Sequence, residues 1–568
     1  MKNENVGWFF VYFKSKIAAN QFMLDDTLEV ERNNCISSSL FLAYANFIKK
    51  FEKDHVYVDL QDRFCLQDGV VLNYSDNLTD RVTVPASSLF WTSFYGPFAG
   101  LQFDKKSRSI WVYTNQTGEK PVYYFDNKDF FMVSSSVYIL SKILKKNGIR
   151  YSLNERTMNL LITYYHTVLD NTIISEVKRL RPGYYLVFQN NELQLEQYKV
   201  FKHNINPNIS EDDAIEEIDR LFIRAVNYEF KKDQQYGYKH FVTLSGGLDS
   251  RMTCMVAHEL GYSDILAFHF SNANYFEESI ARKIATDLGI GYLYRSLNDH
   301  EVIYLLSEII KLNYGNAVYS GIGGVFWAYK NLYTCDSPYG LVHTGEIGDA
   351  ILGGSFFKYP ILGVPNDERV ESTIIRPILN DWSIYENDEQ KDMYERAFCG
   401  CMSTHQITQH FTEEVSPFIE PDFMDFCFSL PIRMRYNSYI YKKWILKKHS
   451  SAAEYVWEKI GKKITDVNSV KVYTQRMKRY IKSSSYMQWL VKLYIKNKKL
   501  KEDMNPYSKW YLENNSLKKF IDEYYIGNIM KLDDYPNIKH DCEKVFLQGS
   551  GMEKLFVLTV LGIVDSYF

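Results

Sequence analysis

Six residues constrain this chain more than any other feature: Ser245-Gly246-Gly247-Leu248-Asp249-Ser250. They follow a β-branched and aromatic run, Phe241-Val242-Thr243-Leu244, and precede a segment in which Met252, Met255, Val256 and Leu260 recur at helical spacing. A strand, a tight turn and a helix in succession gather free backbone N–H groups and the positive end of a helix dipole, which suits an anion. Two glycines let the backbone approach phosphate oxygens with no Cβ between. Ser245 and Ser250 add hydroxyl donors, and Asp249 is placed to hold Mg²⁺ between phosphate groups. No Gly-Lys-Ser/Thr follows, so this is not the P-loop pattern.

From Ser210 onward strands and helices alternate. Ser210-Glu211-Asp212-Asp213 is a helix start, an N-cap followed by acidic residues. Ile215, Ile218, Leu221, Phe222 and Ala225 then share one face. His240–Leu244, Ile265–Phe270 and Leu341–Thr344 read as strands, with helices from Ser250 and Glu277. Such alternation predicts a parallel sheet with helices on its faces. A second cluster, Gly345-Glu346-Ile347-Gly348-Asp349, directly follows the run Gly340–Thr344. Open parallel sheets bind ligands at the carboxyl ends of their strands, so both clusters should face one crevice and pair Asp249 with Asp349. The first 200 residues are different: Val6–Phe13, Arg108–Thr114 and Pro121–Phe125 are short strand runs between turn residues. With Lys202–Ser210 as a polar linker, the expected domains are 1–200 and 210–568.

In this order the motifs resemble those of the asparagine synthetase family, relatives of the PP-loop ATP pyrophosphatases. The Ser-Gly-Gly-Leu-Asp-Ser loop is similar to that family's pyrophosphate-binding loop. Gly345–Gly354 resembles its Gly-Glu-Gly-x-Asp-Glu-x-x-x-Gly segment, and Phe268-His269-Phe270-Ser271 with Glu277 and Ala281–Ala285 its adenosine-binding strand and helix. Glu413–Glu420 resembles Glu-Leu-Arg-Val-Pro-Phe-Leu-Asp, and the resemblance spans roughly residues 60–465. It implies an α+β N-terminal sandwich of the glutaminase (N-terminal nucleophile) type, then an α/β PP-loop synthetase domain with a helical C-terminal extension. It also implies ATP and Mg²⁺: a substrate carboxylate attacks the α-phosphate, releasing pyrophosphate, and ammonia or an amine then displaces AMP. Carried over by position, Leu244, Ser245, Gly246, Gly247, Asp249, Ser250, Phe270 and Gly345 would bind the nucleotide, and Asp249 and Asp349 the metal. Glu346 would be the general base, with Glu413 as its partner. Lys459, or its neighbours Lys462 and Lys463, would steady developing negative charge.

The resemblance fails in the N-terminal part. Glutamine-using members expose a cysteine at the start of the mature chain; here residue 2 is Lys2 and the first cysteine is Cys35. Asp68-Gly69-Val70-Val71-Leu72-Asn73 stands where the family reads Asn-Gly-Glu-x-x-Asn, and Tyr95-Gly96-Pro97-Phe98-Ala99 where it reads Asp-Gly-x-Phe-Ala. Thr114–Pro121 keeps Gly-x-Lys-Pro without the preceding Arg-Asp. The expectation is a ligase that does not hydrolyse glutamine itself, joining a small-molecule or peptide carboxylate to ammonia or a substrate amine. β-Lactam synthetase and lasso-peptide cyclases, which form intramolecular amides, are relatives of that kind, although Glu346 is the asparagine synthetase residue where β-lactam synthetase has tyrosine. A PP-loop RNA modifier and a non-catalytic scaffold are the alternatives of other classes.

Charge and cysteine usage narrow the partners. Lys+Arg 66 against Asp+Glu 69 leaves a net charge of −3, so no nucleic-acid partner is expected. Eight scattered cysteines form no disulfide framework, and the longest apolar stretch, Leu555–Val564, is too short for a membrane span. A cytoplasmic protein is expected. Residues 471–501 carry ten Lys or Arg and no Asp or Glu, a solvated basic face or a dock for an acidic partner. Cys399-Gly400-Cys401 with His405 and His410 has a zinc-like look at spacings tighter than the usual fingers.

Overall fold

The aromatic run near the start forms the strand Gly7–Phe13, buried along its whole length. Period-two alternation explains how a strand can be buried on both faces. Trp8, Phe10 and Tyr12 join one apolar cluster with a second sheet, while Phe9, Val11 and Phe13 join another with helices. The computed structural model describes residues 6–24, 34–75, 77–334, 336–354, 370–378, 381–469 and 503–568. The basic stretch 471–501 and Lys2 lie outside them.

Two six-stranded antiparallel sheets build the N-terminal half. One orders Lys178–Arg179, Tyr123–Asp126, Phe130–Ser134, Gly7–Phe13, Phe41–Asn46 and Cys35–Ser37. The other orders Glu192–Gln197, Tyr184–Gln189, Ser109–Thr114, Phe98–Asp104, Arg63–Gly69 and Val56–Asp59. Phe10 meets Phe64 between them at 5.7 Å, and Phe131 stacks on Phe188 at 4.2 Å. The helix Val137–Lys146, whose Ser136 cap accepts from the Ile139 N–H, packs on the other face of the first sheet.

No helix or strand occupies residues 198–210. Ser210 then caps the helix Glu211–Tyr236 by accepting from the Asp213 N–H, and Ile215, Ile218, Leu221, Phe222 and Ala225 are buried along it. This helix braces a five-stranded parallel sheet of order Gly291–Ser296, Ile265–Ser271, Lys239–Thr243, Tyr339–His343, Glu414–Val415. Asp233 locks helix to sheet: one carboxylate oxygen meets His240 Nδ1 at 2.9 Å and His343 Nε2 at 2.8 Å, and the other accepts from the Leu341 N–H.

The helices Tyr507–Glu513, Asn515–Asn528, Pro536–Gln548 and Gly551–Tyr567 close the far side. The apolar stretch Leu555–Val564 is buried inside the protein, and among the described residues no helix is long and apolar enough to cross a membrane. The last helix crosses Leu306–Leu312 at Gly562, where a Cβ would come within 2.6 Å of both the Ile310 and Leu306 side chains. Gly562→Val should therefore destabilise the fold by about 1–3 kcal/mol through overpacking. A chemical-denaturation midpoint unchanged from wild type would show that the crossing has slack.

Candidate active site

The strands of the parallel sheet end at a cavity of about 400 Å³. Leu244, Ser245, Gly247, Asp249 and Ser250 line it from the first loop, Phe268, His269 and Phe270 from the neighbouring strand, and Gly345 and Glu346 from the second loop. Thr404, Glu414 and Glu458 add polar groups. The first loop is tied by its own hydroxyls: Ser250 Oγ accepts from the Ser245 N–H at 3.0 Å, and Ser245 Oγ from the Gly247 N–H at 3.1 Å. Buried Arg251 pins it from behind, donating to the carbonyls of Gly246, Ala452 and Val456. Gly246 faces away from the cavity, with its N–H on Glu277 at 3.2 Å.

The two loops touch. A Cβ on Gly345 would lie 2.2 Å from the Ser250 nitrogen, and one on Gly348 would lie 2.8 Å from the Asp249 carboxyl carbon. Only glycine permits so close an approach. Asp249 accepts from the Asp349 N–H at 3.1 Å and from the Tyr441 hydroxyl at 2.7 Å. Between the glycines Ile347 takes a left-handed φ of 58°, a strained choice for a β-branched residue. Burial, and then the neighbouring Asp349 charge, push the Asp249 carboxyl up to about 8. Asp349 itself is exposed and is not among the residues that line the cavity.

The remaining expectations fare differently. Glu346 stands on the cavity, its carboxylate 2.9 Å from His405 Nε2. Glu413 does not partner it: that side chain is fully buried on the opposite side of the chain, paired with Lys120 at 2.6 Å. Its neighbour Glu414 faces the cavity instead, 3.7 Å from His405 Nε2 and accepting from the hydroxyls of Tyr329 and Thr408. Adjacent residues of a strand point opposite ways, and two carboxylates in a row gave no signal of which faces in. Lys459 is exposed with its ammonium 5.8 Å from the Trp457 ring, Lys462 is exposed, and Lys463 pairs with Glu454 at 2.7 Å. The residue of that segment that lines the cavity is Glu458. Among the described lining residues there is no lysine or arginine. Cys399 and Cys401 join no metal-sized cluster among the described residues.

The lining fits an adenine nucleotide. Leu244, Phe268, Phe270, Ile322 and Val325 supply apolar surface. His269 Nδ1 lies 2.9 Å from the Leu244 carbonyl, while its buried Nε2 has no hydrogen-bond partner and is left to accept from a ligand. Glu458 Oε2 is likewise buried and unpartnered. Asp249 and Asp349 offer two carboxylates to a divalent cation, a hard ion that takes oxygen ligands.

Residues 88–199 match the glutamine amidotransferase domain family, and residues 217–399 match the asparagine synthase family. A protein of Methanocaldococcus jannaschii provisionally named asparagine synthetase (glutamine-hydrolyzing) 2 is 26% identical over 273 residues, 46% of this chain and 50% of its own length. A second from the same organism, provisionally named asparagine synthetase (glutamine-hydrolyzing) 1, is 20% identical over 342 residues, 60% of this chain and 57% of its own. The chain thus spans about half the length of the curated relatives it matches. Among solved structures, glutamine phosphoribosylpyrophosphate amidotransferase from B. subtilis, complexed with ADP and GMP, matches at 12% identity over 51% of this chain and 65% of its own, with a TM-score of 0.22. NMN synthetase from Francisella tularensis matches at 18% identity over 26% of this chain and 59% of its own, with a TM-score of 0.18.

Two outcomes are expected. Gly345→Ala places a Cβ against backbone and should prise the loops apart, weakening binding of a fluorescent ATP analogue roughly tenfold or more; wild-type affinity would show that the contact is not needed. The second concerns pH. The folded protein holds the Asp249 proton more tightly than the unfolded chain, whose carboxyl has the ordinary value of 3.8. Cation-free stability should therefore fall as pH rises from about 4 towards 8. Mg²⁺ should raise the unfolding temperature more at pH 8 than at pH 6, and Asp249→Asn should flatten that difference.

Proposed function

We propose that this chain, a member of the asparagine synthase family with a glutamine amidotransferase domain ahead of its synthase domain, is an ATP-dependent ligase that forms an amide by adenylating a carboxylate. The observation that carries the reading is the meeting of two loops on one cavity, where the Asp349 N–H donates to Asp249 beside the Ser245 and Ser250 hydroxyls. A substrate carboxylate oxygen attacks the α-phosphorus as the bond to the β-phosphate breaks. The amine nitrogen then attacks the acyl carbon, AMP leaves with the C–O electron pair, and the amine proton passes to Glu346. Ser245, Gly247 and Ser250 hold the departing pyrophosphate, and Phe270 with its apolar neighbours holds the base. Asp249 and Asp349 would hold Mg²⁺, which would offset phosphate charge.

Residues 1–200 act in this reading as an amidotransferase-like domain without glutaminase activity, and 210–568 as the synthetase unit. Asp68 supports this, because its carboxylate is engaged by Lys120 at 3.2 Å and lies 3.4 Å from His55. The amine is then ammonia or part of the substrate.

The test measures ATP consumption with separate detection of AMP, ADP and pyrophosphate, first with aspartate and ammonia, then with fractionated extract of the source cells. AMP and pyrophosphate in equal amounts are expected, with no glutamate formed from glutamine. ADP as product, or bound ATP never turned over, would sink the reading. Glu346→Gln should keep carboxylate-dependent ATP–pyrophosphate exchange and lose about 10²–10⁴ in amide formation; loss of both steps together would place Glu346 elsewhere in the mechanism.

A further inference from the structure

His405 begins the short helix His405–Thr408 and is almost fully buried. Both of its ring nitrogens face carboxylates. Nε2 lies 2.9 Å from Glu346 and 3.7 Å from Glu414, and Nδ1 lies 3.5 Å from Glu119. Glu119 belongs to the amidotransferase-type segment and is itself buried. One of its oxygens accepts from Asn115 Nδ2 at 2.6 Å and from the Thr117 hydroxyl at 2.7 Å, which fixes the carboxylate. The other oxygen and His405 Nδ1 are both buried without a hydrogen-bond partner, and they face one another. Two further contacts bind the same segments together: Gln409 donates to the Glu119 carbonyl, and Lys120 pairs with Glu413.

An imidazole with carboxylates on both sides is held as the cation, because each acid favours a proton on the nitrogen facing it. The three carboxylates Glu119, Glu346 and Glu414 drive His405 well above the ordinary histidine range despite its burial. A cation fixed 2.9 Å from Glu346 aims that carboxylate.

We infer that His405 is the positioning residue for Glu346, and that Glu119 reaches across from the amidotransferase-type domain to hold His405 in place, so that this domain backs the synthetase site from behind its lining. The inference rests on the reading of Glu346 as base. It assigns the N-terminal domain a duty that needs no glutamine chemistry.

The test follows His405 by NMR in the full-length protein carrying ¹³C-labelled histidine, its resonance assigned as the one lost in His405→Gln. In wild type it should stay in the imidazolium form well above the ordinary histidine value of about 6.5. Glu119→Gln should lower its midpoint by at least about one pH unit. Glu119→Asp, which keeps the charge but withdraws it by one methylene, should fall between the two, and supplies the comparison if the Gln variant does not fold. A wild-type midpoint near the ordinary value of about 6.5, or a midpoint that neither Glu119 variant moves, would overturn the inference. The readout does not depend on turnover. Failure to form AMP would therefore remove the ligase reading and leave the titration standing, and an unmoved titration would do the reverse.

Discussion

The backbone of Gly345 passes so close to the helix beginning at Asp249 that a Cβ would sit 2.2 Å from the Ser250 nitrogen, and the geometry of the cavity depends on that contact. Parallel strands bring the two loops to one edge; only the missing side chains let them close the last ångströms. Closure has an electrostatic consequence. It sets Asp249 against Asp349 and against the N–H of that residue, so one interaction draws the carboxylates together while their like charges oppose it. Arg251 behind the loop and the left-handed Ile347 in front keep the arrangement from relaxing. A divalent cation would relieve the repulsion, so a strained pair of loops suits the metal-bound polyphosphate proposed above.

The seam between the two halves carries several buried ion pairs. Asp54 takes Lys232 at 3.0 Å, Lys120 bridges Asp68 and Glu413, and Glu119 meets His405. Buried ion pairs roughly break even against their desolvation, so such a seam adds little net stability. It gives register instead: a slip of one half along the other would leave several charges unpaired in a dry interior. Adhesion comes from the apolar cluster that runs from Phe9 through Phe268 and Phe326 to Leu558.

What the sequence made legible was local in the chain. The loops at 245–250 and 345–349 could be read because strand, glycines and helix are consecutive, and because the side of a parallel sheet on which they emerge is fixed by its topology. The resemblance assigns Glu413, and a strand two residues long, Glu414–Val415, has no alternation that would set its neighbour Glu414 apart. Lys459 lies in a lysine-rich segment with no period, in which the acidic Glu458 lines the cavity. In the sequence His405 stands out only beside Cys399 and Cys401, because its partners stand at positions 119, 346 and 414. No local pattern marks a residue whose role is set by three distant acids.

The helix Gly551–Tyr567 carries a consequence for how the protein is made. Tyr567 accepts a hydrogen bond from Tyr151 through its carbonyl, across 416 positions of chain, and its ring meets Tyr138 at 5.7 Å on the helix that covers the first sheet. During synthesis the N-terminal sheets emerge from the ribosome long before their cover does. Until the last helix arrives, the outer faces of Tyr138 and Tyr151 are left to solvent or to a chaperone. Domains of most multi-part chains fold one after another as they are made; here the first half is completed by a turn of helix 416 positions along the chain from Tyr151.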